Sequence, residues 1–111
     1  MIQNGELDKK TAGYLGLAQK AGKIAAGDRL VLQAVKKGGA FLVIIAGDIA
    51  QTAHEELLQA LEGRGLPVFN WQDKASLGLM TGKSPRGALA VLDKGFAAVI
   101  EENLRKAVSE N

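Results

Sequence analysis

Hydrophobic residues recur along the chain in two patterns, helical spacing in some stretches and short uninterrupted runs in others. Helical spacing predicts amphipathic helices, and short apolar runs are typical of strands covered on both faces. The predicted helices span 6–21, 27–37, 51–62, 73–80 and 94–107, and the predicted strands span 41–46, 67–70 and 88–92, with a very short extended piece at 24–26. This alternation predicts an α/β protein, a three-layer α/β/α sandwich around a small mixed sheet. We expect one domain, 1–111, with short polar tails at both ends.

The helix that begins at Gly27 carries apolar and polar residues on opposite sides. The inward set is Leu30, Val31, Ala34 and Val35, and the outward set is Arg29, Gln33 and Lys36, with Leu32 also pointing away from the core. Backbone N–H groups and the helix dipole attract anions at a helix N-terminus, so the outward stripe suits a phosphate backbone or a guanine edge. The alternative is a solvated helix face with Asp28 as the N-terminal cap.

The same spacing predicts the burial of the other elements. The strand at 67–70 is expected to be buried, and Asp73 is expected to cap the fourth helix. Tyr14 and Trp71 are expected to pack at the core or its rim rather than stack on bases. The side chains expected inward are Ala53, Leu57, Leu58 and Leu61 in the third helix and Phe96, Val99, Ile100 and Leu104 in the last helix.

Composition is that of an ordinary globular protein. Of the 111 residues 47% are hydrophobic and 23% are charged, and there is no cysteine. This excludes disulfides, thiolate zinc sites and cysteine nucleophiles. The longest apolar run, 40–46, is too short to span a bilayer, and the polar N-terminus lacks a signal-peptide hydrophobic region. We therefore expect a soluble, cytoplasmic protein with no membrane contact, and we expect a monomer.

Charge is unevenly distributed although the net charge is only +2. Residues 1–40 carry seven basic and three acidic side chains, a balance of +4, whereas residues 41–73 carry one basic and five acidic side chains, a balance of −4. Residues 74–111, with six basic and four acidic side chains, return to +2. A basic first third and a basic late loop favour a polyanionic partner on one face.

No arrangement of residues in the sequence indicates catalysis or metal binding. The stretch 78–84 resembles a phosphate-binding P-loop, but only three residues separate its glycines and a strand, not a helix, follows. His54 has no catalytic or metal-binding partner beside it and is expected to be a partly buried structural residue. Glu101 and Glu102 are adjacent, so they diverge on a helix and cannot act as a pair. We therefore expect a protein that is not an enzyme and needs no cofactor or metal.

The glycine-bounded loop at 82–87 is a second candidate for anion binding. It places two cations, Lys83 and Arg86, on a turn between a short helix and a strand, with Ser84 and Pro85 between them. The alternative interpretation is a plain exposed turn.

Four landmarks follow one another in a recognisable order between about residue 7 and about residue 100. They are Ala21-Gly22-Lys23 before Gly27 at a helix start, the run 42–48, Pro67-Val68 before a strand, and Leu77-Gly78 with Gly82 before the last strand. Together they resemble the L7Ae/L30e ribosomal protein superfamily of kink-turn RNA binders, and most of all its small bacterial YlxQ-like members.

This resemblance implies a translation-associated protein, on or off the ribosome, that binds structured RNA such as a ribosomal RNA or an mRNA leader. In the family, the start of the helix beginning at Gly27 enters the major groove beside sheared G·A pairs, and the loop matched by 83–86 covers a flipped-out nucleotide. Basic side chains and helix amides would hold phosphates while exposed side chains read base edges. The implied RNA-binding set is Gly27, Asp28, Arg29, Gln33, Lys36, Lys37, Lys83, Ser84, Pro85 and Arg86.

The chain differs from the ribosomal members where the RNA is read. They carry a polar pair close after the glycine and a lysine four residues further on, positions held here by Arg29, Leu30 and Gln33. Arg29 suits a guanine edge, an inward Leu30 would not replace a polar reader, and Asp28 would compete with phosphate for the helix amides. Two alternatives stay open: a protein-interaction module on the same fold that uses an exposed Leu32, and the substrate-recognition domain of an RNA-modifying enzyme.

Overall fold

The computed structural model describes the backbone of residues 2–109 and the side chains of residues 8–107. This part of the chain folds into helices and strands in the predicted alternating order. The elements are α1 (Ile2–Lys20), β1 (Ile24–Ala26), α2 (Asp28–Lys37), β2 (Leu42–Ile45), α3 (Gln51–Leu61), β3 (Val68–Asn70), α4 (Lys74–Met80), β4 (Ala88–Val91) and α5 (Lys94–Ser109). The largest difference from the predicted bounds is α1, which begins at Ile2 instead of residue 6. None of these helices is both long and apolar enough to cross a membrane.

The strands form one mixed sheet in the order β1-β4-β2-β3. β4 pairs antiparallel with both β1 and β2, and β3 pairs parallel with β2. Ala26 lies opposite Leu89, and Ile45 lies opposite both Ala88 and Asn70. The C-terminal ends of β1, β2 and β3 therefore meet the start of β4 at one end of the sheet, which we call the upper end.

Helices cover the sheet on both faces, which confirms the predicted α/β/α sandwich. Successive side chains of the central strands point to opposite faces. Leu42 and Ile44 of β2 pack with α1, α4 and α5, whereas Val43 and Ile45 pack with α2 and α3. The helical residues in these two cores are Leu15, Leu77, Ala97, Ile100 and Leu104 on the first face and Val31, Val35, Leu57 and Leu61 on the second.

Outside α2, three predictions about burial are wrong. β3 is not buried, and Val68 is exposed because β3 lies at the edge of the sheet with β2 as its only neighbouring strand. Leu58 and Val99 are 49% and 36% exposed. Each lies about 100° around its helix from a fully buried neighbour, Leu57 or Ile100, and the helix turns it out of the core.

Side chains at the rim of the core lie where the sequence predicts them. Tyr14 and Trp71 are half-buried against the first core, and the Trp71 indole donates a hydrogen bond to Asp8 Oδ1 at 3.0 Å. The Asp73 carboxylate accepts a hydrogen bond from Ser76 N at 2.8 Å and so caps α4. These contacts fix the turn between β3 and α4 at the upper end of the sheet.

Candidate nucleic-acid interface

Backbone hydrogen bonds at the upper end of the sheet join segments that are distant in sequence. Gly27 N donates to Ala88 O at 2.9 Å, which ties the start of α2 to the start of β4. Ala46 N donates to Gly87 O at 2.9 Å, which ties the turn before α3 to the same strand. The N-terminus of α2, the turn before α3 and the loop at 82–87 are therefore neighbours.

The N-terminus of α2 is open to an external hydrogen-bond acceptor. Gly27 is its N-cap residue, and no side chain caps it within the described part of the chain. Its φ of 119° and ψ of 151° are angles that glycine adopts readily and other residues adopt only with strain. The free N–H groups of the first turn and the positive end of the helix dipole make this a place where an anion such as phosphate can bind.

The N-terminus of α4, by contrast, is already occupied by carboxylates. Asp48 Oδ1 accepts a hydrogen bond from Lys74 N at 2.8 Å, and Asp73 accepts one from Ser76 N at the same distance. The backbone and side-chain hydrogen bonds from Ser76 hold the pKa of Asp73 below its ordinary value. A further anion at this helix end would meet two negative charges, so α2 is the better anion site.

Arg86 connects the loop at 82–87 with the start of α2. Its Cδ lies 3.4 Å from the position that a Cβ on Gly27 would take, so the side chain passes across the N-cap. Its Nη1 donates to Ser84 Oγ at 2.7 Å and to the carbonyl oxygens of Ser84 and Pro85 at 3.2 Å. Within the described residues Nε and Nη2 make no hydrogen bond, which leaves donors for a ligand beside the helix end.

The loop itself is anchored to the end of α4. Lys83 N donates to Gly78 O at 2.8 Å, and Arg86 N donates to Lys74 O at 3.0 Å. Gly78 is buried, and a Cβ there would collide with the carbonyl oxygen of Ser84. The P-loop-like stretch is therefore the end of α4 and the loop after it, and Gly78 permits the two to pack closely. The side chains of Lys83, Ser84 and Pro85 remain exposed.

Asp28 does not cap α2, so the prediction that it competes for the helix amides is wrong. It is the first helical residue, and its carboxylate lies against Gly87 and near Ile49, where a Cβ on Gly87 would collide with Oδ1. Oδ1 is buried, and no group among the described residues donates a hydrogen bond to it. The helix turns this side chain toward the sheet because Gly27 supplies the N-cap position before it.

The exposed stripe of α2 agrees with the prediction, but the two leucines beside it, Leu30 and Leu32, have the reverse of their predicted exposure. Arg29, Gln33 and Lys36 are exposed as expected. Leu30, expected to be buried, is 52% exposed, whereas Leu32, expected to be exposed, is half-buried against the second core. Both leucines flank the buried line of α2, and only the flank of Leu32 is covered, because α3 packs there. An apolar Leu30 therefore lies beside Arg29 at the candidate interface.

The predicted basic residues form two groups. Arg86 and Lys83 lie on the loop beside the N-cap of α2, and Arg29 lies in the first turn of that helix. Lys36 and Lys37 are exposed in the last turn of α2, about 12 Å further along the axis. These two lysines can meet only a ligand that extends along the helix.

Sequence reasoning missed two features of this interface. Lys74 is half-buried beneath the loop, and its carbonyl oxygen accepts a hydrogen bond from Arg86 N. Its position one residue after the capping Asp73 is the sequence feature that could have indicated this. Thr52 at the start of α3 lines a cleft of about 460 Å³ together with Arg29 and Leu32. This cleft opens beside the first turn of α2 and depends on helix packing that the sequence does not specify.

His54 is half-buried on α3, as predicted for a structural residue. Among the described residues no group of histidine, aspartate and glutamate side chains is arranged to hold a metal ion.

Comparison with known proteins gives concordant matches over most of the chain. The model of the ribosomal protein L7Ae/L30e/S12e/Gadd45 family matches residues 9–101. The chain is 28% identical over 94 residues to the RNA-binding protein YlxQ of Enterococcus faecium, covering 85% of this chain and 90% of that protein. It is 31% identical over 86 residues to the large ribosomal subunit protein eL30 of Methanocaldococcus jannaschii, covering 76% and 78%. The solved structure of the Giardia lamblia 15.5kD RNA binding protein is similar with a TM-score of 0.75 at 26% identity, covering 94% of this chain and 89% of that one.

Proposed function

Because the chain belongs to the ribosomal protein L7Ae/L30e/S12e/Gadd45 family, we propose that it is a non-catalytic protein that binds structured RNA at the upper end of its sheet. The RNA is of the kink-turn type, within a ribosomal RNA or an mRNA leader. The protein acts as a cytoplasmic monomer associated with translation. The observation that carries this proposal is Arg86 lying across the uncapped N-terminus of α2.

The phosphate backbone is held by two kinds of donor at this point. The first-turn N–H groups of α2 bind one phosphate along the helix axis, and Arg86 contributes a guanidinium already fixed by its bonds to Ser84 and Pro85. Because Arg86 is positioned before binding, less side-chain entropy is lost on binding. The exposed loop side chains from Lys83 to Pro85 then lie over the adjacent nucleotide.

Two exposed residues on successive turns of α2 read the bases. Arg29 fits guanine through O6 and N7, and Gln33 fits adenine through N6 and N7. They are four residues apart and lie on one face of the helix, so they reach neighbouring bases in the same groove. Arg29 and Gln33, one helical turn apart, therefore suit neighbouring guanine and adenine bases, the components of a G·A pair.

The alternative, a protein-interaction module without RNA readout, retains one supporting observation. Its expected anchor, Leu32, packs against the core, but Leu30 is 52% exposed beside Arg29. An exposed leucine at the centre of a candidate interface suits an apolar pocket of a protein as well as a ribose or base.

Fluorescence anisotropy with two labelled RNAs tests the proposal. One RNA is a kink-turn, and the other is identical except that its G·A pairs are replaced by Watson–Crick pairs. We expect tighter binding to the first at every salt concentration, with both affinities falling as salt rises. Equal affinities would contradict recognition of the kink-turn, and no measurable binding of either RNA would favour the protein-interaction module.

A further inference from the structure

Exposed lysines gather at the end of the sheet opposite to the upper end, which we call the lower end. Strands β1 and β2 flank the end of β4 there, since Val91 lies opposite both Ile24 and Leu42. Leu92 N donates a hydrogen bond to Lys23 O at 2.8 Å, which ties the chain after α1 to the chain before α5. The end of α1, the end of α2 and the start of α5 therefore meet at the lower end.

The lower end is more basic than the upper end. Its exposed lysines are Lys20, Lys23, Lys36, Lys37 and Lys94. The segments that form it, 20–23, 36–42 and 91–95, carry five basic side chains and one acidic side chain, a balance of +4. The segments at the upper end carry four basic and three acidic side chains, a balance of only +1. These upper segments are 27–30, 46–50, 71–75 and 82–88.

Little negative charge opposes the lysines of the lower end. Asp93 is the acidic residue of its three segments, and the Asp93 carboxylate already accepts a hydrogen bond from Phe96 N at 2.9 Å. Within the described residues none of the five lysines forms an ion pair. The C-termini of α1 and α2 each carry about −0.5 charge, which the lysines of their last turns offset. Lys23 and Lys94 lie outside those turns, so the positive charge exceeds what the helix ends need.

The spacing of the lysines suits a partner with closely spaced phosphates. Adjacent strands lie about 5 Å apart, so the chain at Lys23 and the chain at Phe41, on either side of β4, are about 10 Å apart. This is close to the Debye length of about 8 Å at physiological salt, so the lysines attract an anion jointly. Lysine holds a phosphate as a flexible point charge and reads no base.

Two observations favour an RNA duplex as this partner. Single-stranded RNA stacks its bases on exposed aromatic rings, but the ring of Phe41 is half-buried with Lys94 Nζ 5.7 Å from its centroid. A membrane surface is bound by apolar side chains together with basic ones. None of the exposed large hydrophobic residues of the described chain belongs to the three lower segments. A duplex, by contrast, is bound through its backbone and shape.

We propose that the lower end binds the phosphate backbone of a second RNA duplex, so that the protein bridges two RNA segments. Bridging rests on the RNA binding proposed for the upper end, whereas duplex binding at the lower end does not. An RNA that extends along α2 from the upper end reaches Lys36 and Lys37. Lys20 and Lys23, in and just after the last turn of α1, lie beyond its path and belong to the second site alone.

Anisotropy titrations of the full chain with a short, labelled Watson–Crick RNA duplex test this assignment. We expect Lys20→Ala/Lys23→Ala to weaken duplex binding about fivefold or more and to lower the salt slope by roughly two units. The matched control is Lys9→Ala/Lys10→Ala, which removes two exposed lysines nearer the start of the same helix and should stay within about twofold of the unmodified protein. No measurable duplex binding, or equal losses in the two double variants, would overturn the proposal.

The kink-turn RNA separates this proposal from the one for the upper end. Arg86→Ala should weaken binding of the kink-turn RNA and leave duplex binding unchanged, and Lys20→Ala/Lys23→Ala should do the reverse. A stoichiometric complex with the kink-turn RNA should still bind the duplex, and displacement of one RNA by the other would overturn a separate site. Binding of phosphatidylserine vesicles without binding of the duplex would overturn the choice of RNA. Duplex binding without any preference for the kink-turn would overturn only the proposal for the upper end.

Discussion

The side chain of Arg86 passes across Gly27 at van der Waals distance, with Cδ 3.4 Å from the place of a Cβ on that glycine. The two residues are far apart in sequence, and the pairing of β1 with β4 brings them together. A guanidinium is thereby held beside the free N–H groups of a helix N-terminus. The arrangement requires both a backbone conformation suited to glycine and a loop folded around arginine.

Gly27→Ala should destabilise the protein by about 1–3 kcal/mol, because φ is 119° at this position. Space is not the obstacle, since the added Cβ would make an ordinary contact with Arg86. Urea unfolding measures the change. The control is Gly13→Ala at an exposed position of α1, where no described atom beyond its chain neighbours and the helix backbone lies within 4 Å of the new Cβ and the helix should gain about 1 kcal/mol. A similar loss in both variants would contradict the role given to the backbone at Gly27.

Leu57→Ala and Leu58→Ala should have very different effects although the two leucines are adjacent. Leu57 is 1% exposed in the second core, so its truncation should cost about 2–5 kcal/mol. Leu58 is 49% exposed, and its truncation should change the free energy of unfolding by about 0.5 kcal/mol or less. Urea unfolding of both variants checks the face that α3 presents to the sheet, and equal losses would contradict it.

The order and type of the helices and strands could be predicted because caps, helix ends and hydrophobic spacing each depend on residues close together in sequence. Asp73 stands just before a stretch of helical spacing and caps α4, and Gly38 ends α2 in the left-handed conformation. The faces of α2 depend on more than periodicity. Leu30 and Leu32 flank the same buried line, and the position of α3 decides which of them is covered.

The basic residues of the candidate interface could be named from the sequence, but their arrangement could not. The sequence places a basic loop at 82–87 and a polar stripe on α2, and only the strand order makes them neighbours. The Asp28 carboxylate points toward Gly87 because Gly27, and not Asp28, is the N-cap residue of α2. The sequence pattern alone does not show which of these two adjacent residues is the N-cap. The exposure of β3 likewise follows from its place at the sheet edge.

Asp73→Ala should destabilise the protein at neutral pH more than at low pH. Hydrogen bonds from Ser76 lower the pKa of Asp73 in the folded state. The ionised carboxylate therefore stabilises the fold fully at pH values above the ordinary aspartate pKa of about 4, and this contribution is lost as the pH falls through the lowered pKa. Unfolding of both proteins between pH 7 and pH 2 should show the difference shrinking with acid. A difference that grows with acid would contradict the cap.

Arg29→Ala should reduce the preference for a kink-turn over its Watson–Crick counterpart. Loss of a bidentate guanine contact costs about 1–3 kcal/mol on the correct RNA and little on the other. Lys37→Ala, at the far end of α2, should weaken both RNAs equally and lower the salt slope by roughly one unit. Anisotropy titrations measure both effects. An equal loss for the two RNAs after Arg29→Ala would contradict base reading by this residue.

The most direct test is the RNA affinity of Arg86→Ala measured beside that of Arg64→Ala. Both variants remove one positive charge, but Arg64 is exposed beyond the C-terminal end of α3, away from the upper end of the sheet. We expect Arg86→Ala to bind the kink-turn RNA about 10- to 100-fold more weakly than the unmodified protein, from the loss of charged hydrogen bonds. Arg64→Ala should stay within about twofold of it, because the Arg64 side chain donates its hydrogen bond to Ala60 O at 2.9 Å, outside the proposed interface. Equal affinities of the two variants would contradict RNA binding at the N-terminus of α2.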